Sequence, residues 1–410
     1  MKKILIIEDD ECTRMIYRTR LQAEGFATEA VADGRAGIEQ LTSSPPDLVL
    51  LDLMLPQVSG IEVLKFLRGQ VSTGNLPVIV LTNAYEHGAT EAARKAGANL
   101  CLSKSDCTPR NLVHAVRIML AAADPESAVC VKAPALVALA ESDGSNTITE
   151  SVIKNEMRQR VSELRQSFLN VGKSDEISRS NHLLELRRAV HGVAGGAGLA
   201  GLTHLARTSC ALEALLNELH AKPQRVNPSS LRTTAQAIDL LAVLVENASV
   251  LQSRAWAAPR ILVVDDETIS RQTVCMALKK ADLTATALGD PIQALKLLAD
   301  TRFDLIFLDV EMPGLNGFDV CRRLHATAAN AATPVVFVTA LTDFDTRARS
   351  NLSGGTDIIA KPVSLIELAV KALIHLFRAR LHSVRTPANA VPLSPAGVVH
   401  AGPADTLIAA

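Results

Sequence analysis

The chain has 410 residues, a length typical of two to four domains. Its formal net charge is −1 and charged residues make up 21% of it, so the composition argues against a nucleic-acid or anionic-membrane partner. The first apolar run ends after Ile7 at a series of acids, and no run approaches the roughly 18 residues of a membrane span. Seven scattered cysteines without a C-x-x-C pair are typical of reduced thiols. We therefore predict a cytoplasmic protein with no membrane and no nucleic-acid partner.

An internal repeat organises the sequence. The segment KILIIEDDE at 3–11 returns as RILVVDDET at 260–268, and DLVLLDLMLPQVSG at 47–60 returns as DLIFLDVEMPGLNG at 304–317. Both pairs are 257 residues apart, and the same offset relates further matches later in each copy. A constant offset over several segments indicates two copies of one domain. We predict these domains over residues 1–122 and 259–383.

In chain order, each copy alternates short apolar runs with helical stretches. The runs ILII, LVLL and VIVL of the first copy are bounded by Asp, Pro or Gly, as buried parallel strands are. The first helical stretch ends at Gly25, a residue typical of helix C-termini. This alternation predicts an α/β fold with a doubly wound parallel sheet and a site at the carboxyl ends of its strands.

The middle of the chain has a different pattern. Residues 123–146 are rich in Ala, Pro, Glu and Ser, which predicts a linker. Four amphipathic stretches follow within 147–255 and predict an all-α four-helix bundle. The last of them, 230–251, is preceded by Asn227-Pro228, a favourable pair for a helix start. Residues 384–410 have no periodicity, so we predict a disordered tail.

The predicted strand ends carry the same chemistry in both copies. Two adjacent acids follow the first strand, one aspartate the third, a threonine the fourth and a lysine the fifth. Three carboxylates at one edge repel one another unless a cation joins them, and Mg²⁺ (or Mn²⁺) prefers such oxygen ligands. The lysine and threonine would hold the oxygens of a transferring phosphoryl group, and the lone aspartate would be its nucleophile. The residues are Glu8, Asp9, Asp52, Thr82 and Lys104 in the first copy and Asp265, Asp266, Asp309, Thr339 and Lys361 in the second.

Both copies resemble the receiver domains of two-component response regulators, which have a flavodoxin-like fold. The resemblance rests on these ten positions and on the Pro-x-x-x-Gly that follows each nucleophile. It implies that Asp52 and Asp309 accept a phosphoryl group, and that the backbone carbonyls of Met54 and Glu311 are further metal ligands. We call the two predicted domains receiver 1 and receiver 2, and the helical segment between them the bundle.

Some positions depart from the family pattern. Glu8 stands where the family has Asp, and Ser105 follows the site lysine where the family has proline, so the activity of receiver 1 stays open. Cys101 and Ile358 replace the switch aromatic, which implies phosphorylation without an aromatic rotamer switch. The alternative from the enzyme class is an aspartate-dependent phosphohydrolase, which needs a second acid two residues after the nucleophile. Receiver 1 has Met54 at that position and only receiver 2 has an acid, Glu311, and the paired acids after the first strand have no place in that mechanism.

A histidine followed by five glycines stands in AVHGVAGGAGLAGL, residues 189–202. The stretch contains G-x-G-x-x-G, but a helical pattern precedes it where a dinucleotide site requires a strand, so we interpret this match as accidental. An imidazole is a good phosphoryl acceptor near neutral pH, and small neighbours let a receiver come close. We therefore predict that His191 is a phosphoacceptor on an exposed face of the bundle.

The surroundings of His191 resemble the histidine phosphotransfer domain. The likeness rests on Gly195, Gly201 and a leucine-containing motif that ends at Glu213. The family often has a lysine three positions after the histidine, where this chain has Ala194. The resemblance thus implies a phosphotransfer bundle whose usual positive charge is missing.

Two features of this segment need an explanation. We hypothesise that Arg187 and Arg188, one helical turn before the histidine, supply the missing charge. The family pattern does not explain Gly192, Gly196 or Gly198, although each glycine inside a helix costs about 1 kcal/mol relative to alanine.

Together these features predict a receiver–phosphotransfer–receiver protein of a bacterial-type phosphorelay, not an enzyme beyond the chemistry of its own receivers. The expected partners are a sensor histidine kinase, a downstream response regulator, or both, since no ATP-binding, DNA-binding or catalytic output segment is recognisable in the sequence. Docking of the bundle on its own receivers stays open, as does the direction of phosphoryl flow. The alternatives are a regulatory scaffold with the histidine as a phosphate sink, or the sensory portion of a larger effector such as a cyclic-dinucleotide enzyme.

Overall fold

Two parallel β-sheets lie on either side of a helical bundle along the chain. The computed structural model describes residues 1–82, 87–104, 107–123, 147–173, 176–252, 257–340, 350 and 352–385. The predicted linker and the predicted tail lie almost wholly outside the described residues.

Receiver 1 has the predicted doubly wound fold. Its five parallel strands pair in the order β2-β1-β3-β4-β5, with helices between them. The strands are β1 (Lys3–Ile7), β2 (Ala27–Val31), β3 (Leu48–Asp52), β4 (Val78–Thr82) and β5 (Leu100–Ser103), and the helices are α1 (Glu11–Ala23), α2 (Gly34–Ser43), α3 (Gly60–Gly69), α4 (His87–Lys95) and α5 (Pro109–Ala123).

Burial and capping explain where the elements of receiver 1 begin and end. Strands β3 and β4, LVLLD and VIVLT, are buried along their whole length, as central strands covered on both faces must be. Asp10 and Asp33 accept hydrogen bonds from backbone N–H groups in the first turns of α1 and α2, which fixes both helix starts. The acids between β1 and α1 are thereby held at the carboxyl edge of the sheet.

The bundle contains four long helices, as predicted. They are α6 (Thr147–Lys173), α7 (Glu176–Leu199), α8 (Thr203–Ala221) and α9 (Pro228–Glu246), with a 3₁₀ turn at Pro223–Arg225 and a short helix α10 (Ala248–Gln252). Asn227 caps α9 and Pro228 is its first residue, which confirms the predicted start. The prediction of one helix over 230–251 is wrong: α9 ends at Glu246. The next residue, Asn247, donates its side-chain amide to the Val243 carbonyl and so competes with the backbone pattern.

Receiver 2 repeats the fold of receiver 1. Its strands pair in the order β7-β6-β8-β9-β10, all parallel. The elements are β6 (Ile261–Val264), α11 (Thr268–Lys280), β7 (Ala285–Leu288), α12 (Pro291–Asp300), β8 (Leu305–Asp309), α13 (Gly317–His325), β9 (Val335–Thr339), β10 (Asp357–Ala360) and α14 (Leu365–Arg385). The peptide bond between Lys361 and Pro362 is cis.

Receiver 2 and the bundle share one apolar core. A single cluster joins buried residues of α6 to α9 with those of α11 and α14 and with one face of the receiver 2 sheet, including Val263 and Phe307. Helix α14 packs on α8 and α9, and Arg207 donates to the carbonyl of Ala281 at the end of α11 (2.7 Å). The contact between receiver 2 and the bundle is therefore apolar, as interfaces of stable complexes commonly are.

Candidate functional site

The carboxyl edge of the receiver 1 sheet brings three predicted site residues into one buried cluster. Lys104, after β5, places Nζ 3.0 Å from Asp52 Oδ2 and 3.1 Å from Glu8 Oε2. Glu8 follows β1 and Asp52 ends β3, and all three side chains are almost fully buried. Parallel strands end at the same edge, which is why residues 96 positions apart in sequence meet here.

The remaining predicted residues of receiver 1 lie around this cluster. Thr82 ends β4 and is buried, and the Met54 N–H donates to Asp52 Oδ1 (3.2 Å). Oxygens of Glu8, Asp9 and Asp52 lie within 4.8 Å of one another. Asp9 Oδ1 is buried and has no hydrogen-bond partner among the described residues. A set of three carboxylates in which one buried oxygen accepts no hydrogen bond among the described residues fits Mg²⁺, which prefers hard oxygen ligands.

His191 of α7 lies directly against this cluster. Its Nε2 is 3.1 Å from Asp52 Oδ2 and 2.7 Å from Lys104 Nζ, and its Nδ1 is 2.7 Å from Glu213 Oε1 on α8. We predicted an exposed face of the bundle, but His191 is only 7% exposed because receiver 1 covers it. The structure thus joins the predicted residues of receiver 1 and of the bundle into one site.

The charges of this site act on one another. Burial and Lys104 oppose protonation of His191, but the carboxylates of Glu213 and Asp52 outweigh them and raise its pKa well above the usual value. Burial favours the neutral form of Asp52, but Lys104 and His191 hold its pKa well below the usual range. When the His191 ring is protonated on both nitrogens, Nε2 donates a hydrogen bond to Asp52. When the ring is neutral with its proton on Nδ1, Nε2 accepts a hydrogen bond from Lys104. The Glu213 carboxylate accepts a hydrogen bond from Nδ1 in both protonation states.

The glycines of α7, including the three that the family pattern does not explain, lie where other parts of the chain come close. A Cβ on Gly198 would collide with the backbone carbonyl of Lys104 in receiver 1, and one on Gly195 would lie 2.7 Å from the Thr13 hydroxyl. A Cβ on Gly192 would strike the side chains of Asp10 and Arg160, whereas one on Gly196 would meet only Met157 of the bundle. Close approach of α7 to receiver 1, and of α7 to α6, therefore accounts for these residues.

Gly201 has a different role. It adopts a φ of +68° just after the end of α7, the left-handed conformation in which helices commonly terminate.

A cavity of about 160 Å³ opens beside His191. Asp9, Met54, Arg187 and Glu213 are among its lining residues. Arg187 Nη1 lies 4.0 Å from the Met54 sulfur, and its buried Nε has no hydrogen-bond partner among the described residues. The arginine that we hypothesised as a source of positive charge is thus at the edge of the site. Arg188 also lines the cavity but is exposed.

Receiver 2 forms a similar cluster, which among the described residues includes no histidine. Lys361 Nζ lies 3.1 Å from Asp265 Oδ2 and 3.3 Å from Asp309 Oδ2. Burial raises the pKa of Asp309, although Lys361 opposes the effect. Oxygens of Asp265, Asp266 and Asp309 again lie within 4.8 Å of one another. Thr339 ends β9 and is buried, and Glu311 is exposed two residues after Asp309.

Comparison with known proteins agrees with this architecture. Residues 4–117 and 261–373 match the family described as response regulator receiver domain, and residues 151–248 match the Hpt domain. The receiver matches together cover more than half of the chain. The chain belongs to the response regulator receiver family. It is a phosphorelay response regulator in which two receivers flank a histidine phosphotransfer domain.

Individual relatives match single receivers of this response regulator. The chain is 37% identical over 126 residues to the phosphate regulon transcriptional regulatory protein PhoB of Rhizobium meliloti, covering 31% of this chain and 55% of PhoB. It is 33% identical over 109 residues to the polar-differentiation response regulator DivK of Brucella ovis, covering 27% of this chain and 89% of DivK. The solved structure of a putative response regulator from Chloroflexus aurantiacus is 30% identical, with 29% and 98% of the two chains covered and a TM-score of 0.28. The chain therefore spans only about half the length of PhoB, the first of these relatives.

Within the described residues, the structure contains no helix long and apolar enough to cross a membrane.

Sequence reasoning missed the contacts that join receiver 1 to the bundle. Glu213 stands in the motif that marks the phosphotransfer domain, yet its position at Nδ1 of the histidine was not predicted. Asp10 was passed over as a third acid after the first strand, but its Oδ2 lies 2.8 Å from Arg160 Nη1 of α6. The run of three acids Glu8-Asp9-Asp10 could have drawn attention to Asp10. Nothing in the sequence distinguishes Arg160 from the other charged residues of α6.

Proposed function

We propose that this response regulator moves a phosphoryl group between Asp52 and His191 of the same molecule. The observation that carries the proposal is the 3.1 Å distance between Asp52 Oδ2 and His191 Nε2. A nucleophile and its acceptor held in contact by the fold react as one unimolecular pair. The reaction forms one step of the phosphorelay.

The transfer starts from the neutral imidazole, so the proton that Nε2 carries in the imidazolium form first leaves to solvent; a phosphoryl group on Asp52 favours this loss because it removes the carboxylate charge that holds the proton. With Nδ1 protonated, the lone pair of Nε2 attacks the phosphorus of an aspartyl phosphate at Asp52, the N–P bond forms, and the O–P bond breaks to release the carboxylate. The ring then carries a positive charge, which the Glu213 carboxylate at Nδ1 offsets. The reverse direction follows the same path, with Asp52 as nucleophile.

Other residues of receiver 1 would support the phosphoryl group. Lys104 already contacts both Asp52 and His191, so its ammonium can hold an oxygen of the group in either position. We assign the second such contact to the Thr82 hydroxyl. Glu8, Asp9, Asp52 and the Met54 carbonyl would hold Mg²⁺, which supplies charge compensation for the phosphoryl oxygens.

The two reacting atoms have to separate for the group to enter between them. At 3.1 Å they are in direct hydrogen-bond contact, which leaves no space for a phosphorus atom in line. The adjacent cavity, lined by Arg187 and Asp9, gives the oxygens of the group somewhere to lie. Receiver 1 must therefore open slightly from α7 during each transfer.

We assign the same phosphoacceptor chemistry to receiver 2. Asp309 would be its nucleophile, Lys361 and Thr339 would hold the oxygens, and the metal would lie among Asp265, Asp266, Asp309 and the Glu311 carbonyl. A sensor histidine kinase in the cytoplasm would supply the phosphoryl group, and a downstream response regulator would receive it.

The test uses the full chain with radiolabelled acetyl phosphate and Mg²⁺. Label on aspartate is lost in alkali, whereas label on histidine is lost in acid and is stable in alkali, so the two can be counted separately. We expect alkali-stable label in the wild type, none in Asp52→Asn, and an unchanged amount in the matched control Asp309→Asn. The His191→Gln variant should keep label on Asp52. Alkali-stable label that persists in Asp52→Asn would contradict the proposal, and label that never leaves aspartate in the wild type would favour the scaffold alternative.

A further inference from the structure

We propose that Asp10 and Arg160 form a latch that holds receiver 1 on α7 and thereby reserves His191 for Asp52. The inference rests on the proposed function and goes beyond it, because it names the contact that excludes other receivers. A receiver of another molecule has to displace receiver 1 before it can reach the histidine.

The latch is an ion pair between two domains. Arg160 Nη1 of α6 lies 2.8 Å from Asp10 Oδ2 at the start of α1, and the two side chains are 24% and 17% exposed. Charge-assisted hydrogen bonds of this kind are stronger than neutral ones, and partial burial reduces screening by water and salt. The pair crosses α7 directly over Gly192, the residue after the histidine, where any side chain would strike both partners.

The surface next to the latch fits receiver 1 closely. Gly195 faces the hydroxyl of Thr13, and Gly198 faces the Lys104 carbonyl, both without room for a Cβ. Leu199, at the end of α7, is 3% exposed and belongs to the apolar cluster of receiver 1 that contains Tyr17 and Leu112. The contact thus combines an ion pair, close backbone approach and an apolar anchor.

Receiver 2 is attached through another surface of the bundle. Phe377 of α14 packs against His204 of α8 with ring centroids 4.9 Å apart, and Glu367 accepts a hydrogen bond from Ser229 of α9 (2.7 Å). Since receiver 2 is held on α8 and α9 while receiver 1 covers α7, Asp309 reaches the histidine of its own chain only if both contacts open.

The residues of receiver 2 that match the latch also differ. Glu267 stands at the position of Asp10, and its side chain does not cap α11. Ser270 stands at the position of Thr13 and donates to Asp265 of its own site (2.5 Å). Receiver 2 therefore lacks the arrangement that fits α6 and α7.

The experiment measures whether a receiver of another molecule can label His191. The recipient is the full chain with Asp52→Asn and Asp309→Asn, so that its own receivers stay unphosphorylated. The donor is the full chain with His191→Gln, Asp309→Asn and Arg160→Ala, which leaves its receiver 1 free of the latch. The donor carries radiolabel on Asp52 from acetyl phosphate, and alkali-stable label on the recipient is counted over time. Asp10→Asn in the recipient opens the latch while keeping an N-cap residue of equal quality.

We expect Asp10→Asn in the recipient to raise its rate of labelling about tenfold, the equivalent of roughly 1.4 kcal/mol. Asp33→Asn is the matched control, since Asp33 caps α2 in the same way but has no contact with Arg160 among the described residues, and it should leave the rate unchanged. Adding Arg160→Ala to the opened recipient should remove the gain, because the incoming Asp10 then has no partner.

The outcomes separate the latch from the proposed function. If the wild type labels His191 from its own Asp52 but the Asp10→Asn recipient is labelled no faster than the Asp33→Asn recipient, the latch is refuted. An equal gain in both variants also refutes it, since loss of a helix cap would then explain the effect. If no chain acquires alkali-stable label in any arm, the proposed transfer itself fails.

Discussion

The substitution Gly198→Ala tests the close approach of receiver 1 to α7. Its Cβ would overlap the Lys104 carbonyl, and relieving the overlap requires a shift of about 1 Å, a misplacement that can slow a positioned reaction by about a hundredfold. The obstacle is backbone, so no rotamer change removes it. In the same helix, alanine is more favourable than glycine by about 0.8–1 kcal/mol. We therefore expect transfer to fall by about ten- to a hundredfold while the bundle itself is not destabilised.

The assay follows the time course of alkali-stable label in the full chain after a pulse of labelled acetyl phosphate, together with the midpoint of thermal unfolding. Gly196→Ala is the matched control, because its Cβ meets only the flexible end of Met157 within the bundle. It should keep the wild-type rate of transfer. Wild-type transfer in Gly198→Ala, or an equal loss in both variants, would refute the reasoning that the glycines serve contact with receiver 1.

Three further predictions concern single side chains of the bundle. Glu213→Gln should slow labelling of His191 by about 10- to 100-fold without changing label on aspartate, because a hydrogen bond to a charged group is worth about 1.5–3 kcal/mol. Arg187→Met should slow the same step, and Arg187→Lys should recover part of the rate if its charge acts on the phosphoryl group. Burial and two nearby arginines lower the pKa of His204, which packs on Phe377, to about 4. Protonation therefore favours the unfolded state, and stability present above about pH 6.5 should be lost as the pH falls toward 4.

The size of the His204 effect can be bounded and measured. The full shift corresponds to about 3 kcal/mol, and partial exposure of the ring reduces the expected loss to about 1–2 kcal/mol. The measurement is the free energy of unfolding in urea at pH 7.5 and pH 5, in the wild type and in His204→Gln. An identical pH dependence in the two proteins would contradict the assignment. For the other two variants, loss of aspartate label alongside histidine label would indicate damage to receiver 1 instead of a role at His191.

The residues of each candidate receiver site could be predicted because each of them stands at or just after the end of a predicted strand. Asp52 ends β3 and Lys104 directly follows β5, and parallel strands end at one edge, so their approach needs no knowledge of side-chain packing. His191 was found by its chemistry and its small neighbours. Its burial was not predicted, since the cover comes from a domain 139 residues away in sequence.

The contacts between domains left weaker signals. Gly198 is glycine because a carbonyl of receiver 1 lies against it, and no local pattern around residue 198 shows this. Arg160 looks like one charge among several on α6, and only the fold brings it to Asp10, 150 residues earlier. The break at Asn247 was missed for a local reason: the apolar pattern continues through the residue whose side chain ends the helix.

The two receivers have the same kinds of residue at most of their strand ends, and a further difference between them lies in their contacts with the bundle. Receiver 2 shares an apolar core with it, and separating such a surface exposes apolar area to water at about 25 cal/mol per Å². Receiver 1 is held around His191 by the polar contacts of Asp52 and Lys104, by the Asp10–Arg160 ion pair, by close backbone contacts and by one leucine, and water can replace polar partners when such a surface opens. The proposed transfer requires Asp52 and His191 to separate for each phosphoryl group, and the more polar interface of receiver 1 suits such a separation better than a shared apolar core does. The repeat thus supplies two receivers with different contacts to the bundle, and among the described residues it is receiver 1, with the more polar contact, whose site lies at the histidine.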